Sequence, residues 1–416
     1  MYLERISLTH FKSYESATFR FSSQVNCLTG PNGSGKTNLL DAIYYLSLTK
    51  SAFTNQDAAS IQHESEFMMV DGVFVKEVVR SEEREVRSEE LEGSRVHDKS
   101  PHYAFLAPDS LKHEQITVSL QRGQRKAVLH DKKPYERLSE HIGRFPVVLS
   151  APNDTDLVRE GSEERRKFFD GVLSQLNPDY LTALLHYNQL LLQRNSLLRQ
   201  FAERNYLDDD LLEVYSEPLV ERALQLHAER QAFIERFVPV FQRHYANLSE
   251  SRESVEILYE SEVGSDEFVR DFRMSRQRDV SAQRTTRGAH RDDYVFEIDQ
   301  FPLRKFGSQG QQKSFVVELK LAQFELLTIE KAARPILLLD DIFDKLDDRR
   351  IQKLIDMMAN GTFGQVFLTD ARPERTEELL KDLPVDVAYL RIGYPSEAGG
   401  PKTRWGGGGF FFGGVL

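Results

Sequence analysis

A glycine-rich loop near the beginning of the chain has the residue types and the spacing that bind nucleotide phosphates. It fits the pattern G-x-x-x-x-G-K-[ST] and consists of Gly30, Pro31, Asn32, Gly33, Ser34, Gly35, Lys36 and Thr37. Glycines allow the backbone to turn its N–H groups toward the phosphates, Lys36 can neutralise β- and γ-phosphate oxygens, and the Thr37 hydroxyl can ligate Mg²⁺. The loop therefore predicts a site for ATP and Mg²⁺, with an ordinary glycine turn as the alternative.

Two adjacent acids, Asp340 and Asp341, directly follow the apolar residues 336–339. Such an apolar run is typical of a buried parallel strand. At its end Asp340 can hold Mg²⁺, directly or through water, and Asp341 can orient or deprotonate a water that attacks the γ-phosphate. We therefore predict Lys36 and Asp341 as catalytic residues and Thr37 and Asp340 as metal ligands. The alternative is that both acids only cap a following helix.

A third element, Ser308-Gln309-Gly310-Gln311, precedes an apolar-striped helix predicted from Phe315 to Leu327. Alone, it could be a helix cap. Beside the other two elements it favours a second phosphate-binding helix start, in which Ser308 and Gly310 contact the nucleotide. One chain rarely brings such a segment to its own nucleotide. The sequence therefore predicts a head-to-tail homodimer with two ATP molecules between its subunits.

The elements around these residues indicate an α/β protein. Residues 25–48 have the pattern of a strand, a glycine loop and a buried helix. Residues 160–245 carry leucines at helical spacing, with Pro178 and Pro218 where helices could begin. The charged run at 81–92 is typical of a solvated hairpin end.

Composition narrows the class of protein. The chain has 416 residues and a formal net charge of −11, so two or three domains and a soluble globular protein are expected. A single cysteine, Cys27, indicates a reducing compartment, and we predict a cytoplasmic protein. The first residues lack a signal-peptide pattern, and no apolar run is long enough for a membrane helix. The membrane, secreted and disordered classes are excluded on this basis.

Two basic stretches are candidates for contacts with DNA phosphates, despite the acidic overall balance. The first holds the arginines Arg270, Arg273, Arg276, Arg278, Arg284, Arg287 and Arg291. The second holds Arg122, Arg125, Lys126, Lys132, Lys133 and Arg137. For either stretch a solvated face or intramolecular ion pairs are an equal alternative. No His/Cys cluster has the spacing of a metal site, and His290 is expected to be structural or close to the nucleotide.

The three elements together resemble an ABC-type ATPase head. More closely, the chain resembles the RecF family of SMC-like DNA-repair ATPases. The motifs that carry this likeness are Phe11-Lys12-Ser13-Tyr14, Pro152-Asn153-Asp154 with Leu157-Val158 and Gly161, Arg165 to Asp170, Gly288 to Asp293, and Leu338 to Asp347. The likeness covers Met1 to about Arg391.

The resemblance implies both a fold and a function. It implies an α/β ABC-type head with a mixed sheet and an inserted α-helical lobe. It also implies a recombination mediator that binds duplex DNA and single-strand/duplex junctions at gaps, cooperates with RecR and RecO, and contributes to SOS induction. ATP would close the dimer on DNA, and slow hydrolysis would release it. By position, Ser308 would contact the partner's ATP, and Asp344 to Asp347 would lie at the dimer interface.

The chain departs from related ATPases at three places. Thr369-Asp370 stands where ABC transporters carry a switch histidine, which weakens any expectation of fast turnover. Asp341 replaces the usual glutamate, and the interface loop reads Phe343-Asp344-Lys345-Leu346-Asp347. The details of the dimer interface therefore stay open.

The predicted domains are residues 1–150 and 281–395 for the two parts of the ATPase head, 151–280 for the helical lobe, and 396–416 for a low-complexity tail without assigned function. Two other classes share the nucleotide chemistry. A transporter motor is disfavoured because its signature usually follows the phosphate loop by about a hundred residues, against about 270 here. An SMC-like structural protein is disfavoured because its arm needs hundreds of heptad residues.

Overall fold

A computed structural model describes residues 1–78, 110–204, 206–249, 253–344, 348–393 and 403–405. The chain divides into two compact units. The first consists of Met1–Tyr135 with Met358–Leu416, and the second is Glu136–Met357. The charged run at 81–92 and all of the predicted tail except residues 403–405 lie outside the described residues. The predicted domain boundaries remain predictions.

The strands of the described residues are short to medium in length. They are β1 Tyr2–Phe11, β2 Tyr14–Arg20, β3 Val25–Thr29, β4 Phe67–Val78, β5 Ser110–Gln121, β6 Ala127–His130, β7 Lys133–Pro134, β8 Val147–Ser150, β9 Val255–Glu260, β10 Asp293–Ile298, β11 Phe301–Pro302, β12 Ile336–Leu339, β13 Val366–Asp370, β14 Val387–Arg391 and β15 Thr403–Trp405.

The helices of the described residues include two very long ones. They are α1 Lys36–Leu48, α2 Asp156–Arg159, α3 Ser162–Leu176, α4 Pro178–Arg204, α5 Asp209–Ser249, α6 Phe268–Met274, α7 Arg276–Ala282, α8 Leu303–Phe306, α9 Gln309–Lys331, α10 Asp348–Ala359 and α11 Pro373–Leu380. Short 3₁₀ turns occupy Asp57–Ser60, Leu138–Glu140, Pro152–Thr155, Ala289–Arg291 and Ile342–Asp344.

The first unit contains an antiparallel sheet with the order β2-β1-β4-β5-β6-β7. Alternate residues of its strands are fully buried, among them Ile6, Val70 and Ile116, so one face of the sheet packs onto the core. Helix α1 lies close to that face. A Cβ atom on Gly72 would stand only 2.4 Å from a methyl carbon of Leu46, so glycine permits this approach.

The same unit holds the strand that leads into the glycine loop. β3 lies between β13 and β14, and both neighbours run parallel to it with Val366 and Val387 opposite Val25. All five residues of β3 are buried, as expected for a parallel strand covered on both faces. The loop therefore begins at the carboxyl end of parallel strands, where α/β proteins commonly bind ligands.

The second unit combines a parallel strand pair with a helical core. β8 and β12 pair in parallel with Val147 opposite Ile336, and β9, β10 and β11 form a small antiparallel sheet. Aromatic rings fill the core between the helices. Phe169 packs on Tyr294 with ring centroids 4.0 Å apart, and Phe241 packs on Phe315 at 4.6 Å. Such contacts add to the stabilisation that comes from burial alone.

The helical prediction for residues 160–245 is confirmed, with one difference. Pro178 is the first residue of α4, as expected, but Pro218 lies inside α5 and does not begin a helix. An interior proline costs about 3 kcal/mol. The helix continues because Leu219, Ala223 and Leu226 stay buried on one face, and this burial outweighs the cost.

Candidate nucleotide-binding site

The glycine loop has the predicted strand–loop–helix form. β3 ends at Thr29 and α1 begins at Lys36. Gly33 and Gly35 have φ values of 80° and 104°, in the region that favours glycine. At Gly30 a Cβ atom would stand 2.2 Å from the backbone oxygen of Ile392, so this position has room only for glycine.

Lys36 lies at the first position of α1 and is only 6 % exposed. Its Nζ donates hydrogen bonds to the backbone oxygens of Gly30, at 2.7 Å, and Pro31, at 3.0 Å. The ammonium group is therefore held within the loop, beside the N-terminus of a helix whose dipole favours anions. This is the arrangement in which a lysine can neutralise a phosphate group.

Three residues support the loop in ways that the sequence did not reveal. The Tyr14 hydroxyl donates to the backbone oxygen of Gly35 at 3.0 Å, and Asn38 Nδ2 donates to Ser13 Oγ at 2.8 Å. Burial raises the pKa of Tyr14 above its ordinary value, so the hydroxyl stays protonated and can donate. Ser13 and Tyr14 belong to the family-like motif at 11–14, and the sequence alone assigned no role to either residue.

Lys12 of the same motif holds helix α1 in position through an ion pair. Its Nζ lies 2.6 Å from Oδ2 of Asp41, which is fully buried. The Asp41 carboxylate also accepts hydrogen bonds from Ser51 Oγ, at 2.8 Å, and the Ala52 N–H, at 2.7 Å. A buried charge with this many partners is costly to leave unpaired. The motif therefore fixes the helix that carries Lys36.

Asp340 and Asp341 lie in the second unit, directly after β12. The Asp340 N–H donates to the Ser150 backbone oxygen at 2.8 Å, which extends the pairing of β12 with β8, and the residue is 4 % exposed. Asp341 has a φ of 47°, a left-handed conformation that aspartate tolerates better than most residues. The roles predicted for both acids remain predictions. The side chains of the interface loop 344–347 lie outside the described residues.

Ser308 caps helix α9. Its Oγ accepts the Gln311 N–H at 3.2 Å, and its own N–H donates to Gln311 Oε1 at 2.7 Å. This reciprocal pair is a capping box, so the helix-cap interpretation is confirmed. Ser308 and Gly310 are nevertheless exposed. The cap therefore leaves the start of a 23-residue helix open to a second molecule.

The family-like motifs at 165–170 and 288–293 meet in a buried ionic network of the second unit. Arg230, almost fully buried, donates to Asp170 Oδ2 at 3.0 Å and to Asp292 Oδ2 at 2.6 Å. Arg165 forms a bidentate pair with Asp293 at 2.8 and 2.9 Å. The two motifs therefore hold the helical core together.

We expect Arg230→Met to lower the free energy of unfolding by about 3–5 kcal/mol, because it leaves the buried Asp292 carboxylate and the partly buried Asp170 carboxylate without their cation. Chemical denaturation of the purified variant measures this loss. Arg236→Met on the same helix is the matched control, because Arg236 is 52 % exposed and forms a surface ion pair with Glu330. It should change stability by less than about 1 kcal/mol. Equal losses in the two variants would contradict the structural role.

His290 belongs to this region and has a structural environment. One ring nitrogen lies 2.7 Å from the Tyr187 hydroxyl, and the other lies 3.1 Å from the Thr285 backbone oxygen. Burial lowers the pKa of His290 to about 4, so the ring is neutral at pH 7. Within the described residues no group of three or more His, Cys, Asp or Glu side chains is arranged to hold a metal ion.

The two basic stretches differ in their ion pairs. In the first, Arg270 pairs with Glu267 and Arg287 with Glu262, while Arg273 and Arg276 both pair with Glu213. The remaining members of that stretch are exposed and have no ion pair among the described residues: Arg278, Arg284 and Arg291. In the second, Lys126 pairs with Asp57 at 2.7 Å. The members without an ion pair among the described residues are Arg122, Arg125, Lys132, Lys133 and Arg137.

Comparison with known proteins identifies the family. Residues 2–389 match the model of the RecF/RecN/SMC N terminal domain. A curated relative in Flavobacterium johnsoniae is 41 % identical over 381 residues, which cover 92 % of this chain and 97 % of the relative. Another, in Cytophaga hutchinsonii, is 41 % identical over 376 residues, covering 90 % and 91 %. Both are named DNA replication and repair protein RecF. The chain belongs to the RecF family.

Solved structures of RecF proteins share the fold. The recombination mediator protein RecF in the RecFOR pathway has been solved with ATPrS, and that structure matches with a TM-score of 0.77 and 25 % identity over 94 % of this chain and 96 % of the other. The structure with ATP matches with a TM-score of 0.74 and 26 % identity, covering 94 % and 97 %. An Smc head domain from Pyrococcus furiosus matches at 0.50 and 17 % identity, covering 97 % and 96 %.

These matches confirm the predicted family and the α/β ABC-type fold with its helical lobe. Among the described residues no helix combines the length and the apolar character needed to cross a membrane. The comparisons assign no role to single residues of this RecF-family chain. The predicted catalytic, nucleotide-binding and metal-binding residues therefore stay predictions.

Proposed function

We propose that this chain is an ATP-dependent DNA-binding protein of recombinational repair and replication restart, acting at single-strand gaps. The observation that carries the proposal is the glycine loop with Lys36 held inside it, in a chain of the RecF family. The RecF structures solved with ATP and ATPrS support ATP as the nucleotide. Their RecFOR pathway supports RecR and RecO as partners, and SOS induction and a cytoplasmic location belong to the same proposal.

The side chains predicted for the site fit Mg²⁺ and ATP chemically. Thr37 offers a hydroxyl and Asp340 a carboxylate, and oxygen ligands of this kind suit Mg²⁺. Bound Mg²⁺ would neutralise charge on the phosphate oxygens. Lys36 would stabilise the γ-phosphate, and Asp341 would orient or deprotonate the attacking water. The backbone N–H groups of residues 30–35 would surround the phosphates.

Two subunits would complete each nucleotide site. The exposed start of α9, with Ser308 and Gly310, would contact the γ-phosphate of the partner's ATP, so that ATP closes the dimer on DNA. Hydrolysis would remove this bridge and open the dimer. Asp370 is the last residue of β13 and accepts bonds from the Arg372 N–H and Thr376 Oγ1, both at 2.8 Å. Thr369-Asp370 stands where ABC transporters carry a switch histidine, and this difference supports slow turnover.

Light scattering with saturating ATP and Mg²⁺ tests the two-subunit site. The wild-type chain should double its molar mass, whereas Ser308→Asp should stay monomeric because a carboxylate would face the partner's γ-phosphate. Asp and Asn both cap helices as well as Ser does. Ser308→Asn is therefore the matched neutral control, and it should still form dimers. A dimeric Ser308→Asp, or a monomeric wild type under these conditions, would overturn the proposed arrangement.

A further inference from the structure

The antiparallel sheet of the first unit has an open face lined by hydroxyl groups. Residues of β1, β4 and β5 that alternate with the buried ones point to this face. Its hydroxyl-bearing residues come from β2, β1 and β5 and are Ser7, Thr9, Ser16, Thr18, Thr117 and Ser119. We call this surface, together with Arg5 and Arg20, the hydroxyl face.

The strand register places these side chains in rows. In one row Thr18, Ser7, Asp71 and Thr117 stand opposite one another on β2, β1, β4 and β5. The next row contains Ser16, Thr9, Met69 and Ser119. Neighbouring strands are about 4.8 Å apart, so each row spans about 14 Å.

Asp71 is an acid within these rows, and its carboxylate is already satisfied. Oδ2 accepts bonds from Gln115 Nε2, at 2.6 Å, and Thr117 Oγ1, at 2.7 Å, and Oδ1 lies 3.8 Å from an Arg5 nitrogen. The Thr117 hydroxyl is thereby engaged, and Ser7 Oγ lies 3.0 Å from Thr18 Oγ1. The hydroxyls of this face without a hydrogen bond among the described residues are those of Thr9, Ser16 and Ser119.

Cations stand at both ends of the hydroxyl face. Arg5 and Arg20 lie directly opposite each other on β1 and β2, and like charges in such a pair destabilise a sheet. Arg20 is exposed and has no ion pair among the described residues. A bound anion would offset this repulsion. At the other edge, the turns after β5 and β6 carry exposed cations without ion pairs in the described part of the chain: Arg122, Arg125, Lys132 and Lys133.

The dimensions suit a duplex. Gln115 on β5 contacts the turn after β6, and Arg122 lies in the turn after β5. At 3.3 Å per residue, the distance between these two residues is about 23 Å. That length corresponds to about seven base pairs. Hydroxyls and guanidinium groups are the usual donors to DNA phosphates. Single strands need rows of aromatic platforms, whereas Phe67, 44 % exposed, has one ring contact in the described part of the chain, with His10.

We propose that the hydroxyl face and its two basic turns bind the sugar–phosphate backbone of duplex DNA. This inference rests on the proposed DNA-binding function and assigns it to one surface. The competing stretch at 270–291 offers less positive charge for phosphate contacts, because four of its seven arginines are paired with acids inside the second unit. Phosphate contacts of this kind bind duplex independently of its sequence.

One negative charge placed on each surface tests the assignment. Ser119→Asp adds a carboxylate to the hydroxyl face, and Ser281→Asp adds one between Arg278 and Arg284 in the competing stretch. Both serines are at least partly exposed, so both variants should keep the wild-type melting temperature. With ATP, Mg²⁺ and a short duplex, Ser119→Asp should bind at least about tenfold more weakly, and Ser281→Asp should bind as the wild type does.

The salt dependence gives a second readout. The triple variant Arg20→Gln, Lys132→Gln, Lys133→Gln should reduce the slope of log K against log salt by up to about 2.7, at about 0.9 for each lost phosphate contact. The matched triple variant Arg278→Gln, Arg284→Gln, Arg291→Gln should keep the wild-type slope.

The outcomes separate the two proposals. Suppose that the wild type binds duplex DNA, and that either only the 270–291 variants or neither set of variants lowers this affinity. The assignment to the hydroxyl face is then wrong, while the proposal of DNA binding stands. If the wild-type chain itself fails to bind duplex with ATP and Mg²⁺, the proposed function fails, and this inference fails with it.

Discussion

Lys36→Ala should bind ATP at least about 30-fold more weakly than the wild-type chain. Lys36 is 6 % exposed, and its ammonium is held by the Gly30 and Pro31 backbone oxygens at the start of α1. Truncating one partner of a buried charge pair costs about 2–5 kcal/mol, and 1.4 kcal/mol corresponds to a tenfold change in affinity. Titration of a fluorescent ATP analogue in the presence of Mg²⁺ measures this loss.

Lys381→Ala is the matched control for Lys36→Ala. Lys381 is 51 % exposed, lies in the same unit and forms an ion pair with Glu378. It should leave nucleotide affinity unchanged. Both variants should melt close to the wild type without nucleotide, since Lys36 contributes two backbone contacts to a loop at the surface. Wild-type ATP affinity in folded Lys36→Ala would refute the assignment of the glycine loop as the nucleotide site.

Asp341→Asn should lower ATP turnover by about 10²–10³-fold while binding of ATP and dimer formation persist. An amide cannot take the proton of the attacking water, and general acid–base groups typically contribute 10²–10⁴-fold. The backbone conformation at position 341 suits both aspartate and asparagine. Asp341 has a φ of 47°, and asparagine tolerates this conformation as well as aspartate does. The substitution therefore changes charge without adding backbone strain.

Steady-state phosphate release measures the loss of ATP turnover, and light scattering measures dimer formation. Asp299→Asn is the matched control, because Asp299 is an acid of the same unit with a φ of 49° in the β10–β11 turn. It should turn over ATP at the wild-type rate. Unchanged turnover in Asp341→Asn would remove Asp341 from the catalytic role. A monomeric Asp341→Asn at saturating ATP would show that the two-subunit site is wrong.

The ion pairs of the first basic stretch show that a run of arginines in the sequence does not reveal which of them are paired. Seven arginines within 22 residues predict a nucleic-acid surface or internal pairing equally well. The structure separates these alternatives residue by residue. Arg276 reaches Asp209, which lies 67 residues earlier in the chain, and Arg287 reaches Glu262. Partners at such separations cannot be identified from local sequence, because helix packing decides which acids come within reach.

The sequence by itself determined the strand, glycine loop and helix at 25–48 and the helical character of residues 160–245, and it offered the cap at Ser308 as an alternative. These features depend on local properties: apolar periodicity, glycine at left-handed φ values, and side-chain bonds to a backbone N–H three residues away. Such interactions form between neighbours in the chain. Family-like motifs also indicated the correct family before any contact was known.

Only the tertiary structure decided what supports the site and what surrounds it. Tyr14 reaches Gly35 across 21 residues, Lys12 pairs with Asp41, and Arg230 connects two motifs more than 100 residues apart. The hydroxyl face exists because strand register aligns serines and threonines from distant segments. The physical reason is common to these cases. Hydrogen bonds and ion pairs act over a few ångströms, so residues distant in sequence interact only after packing has brought them together.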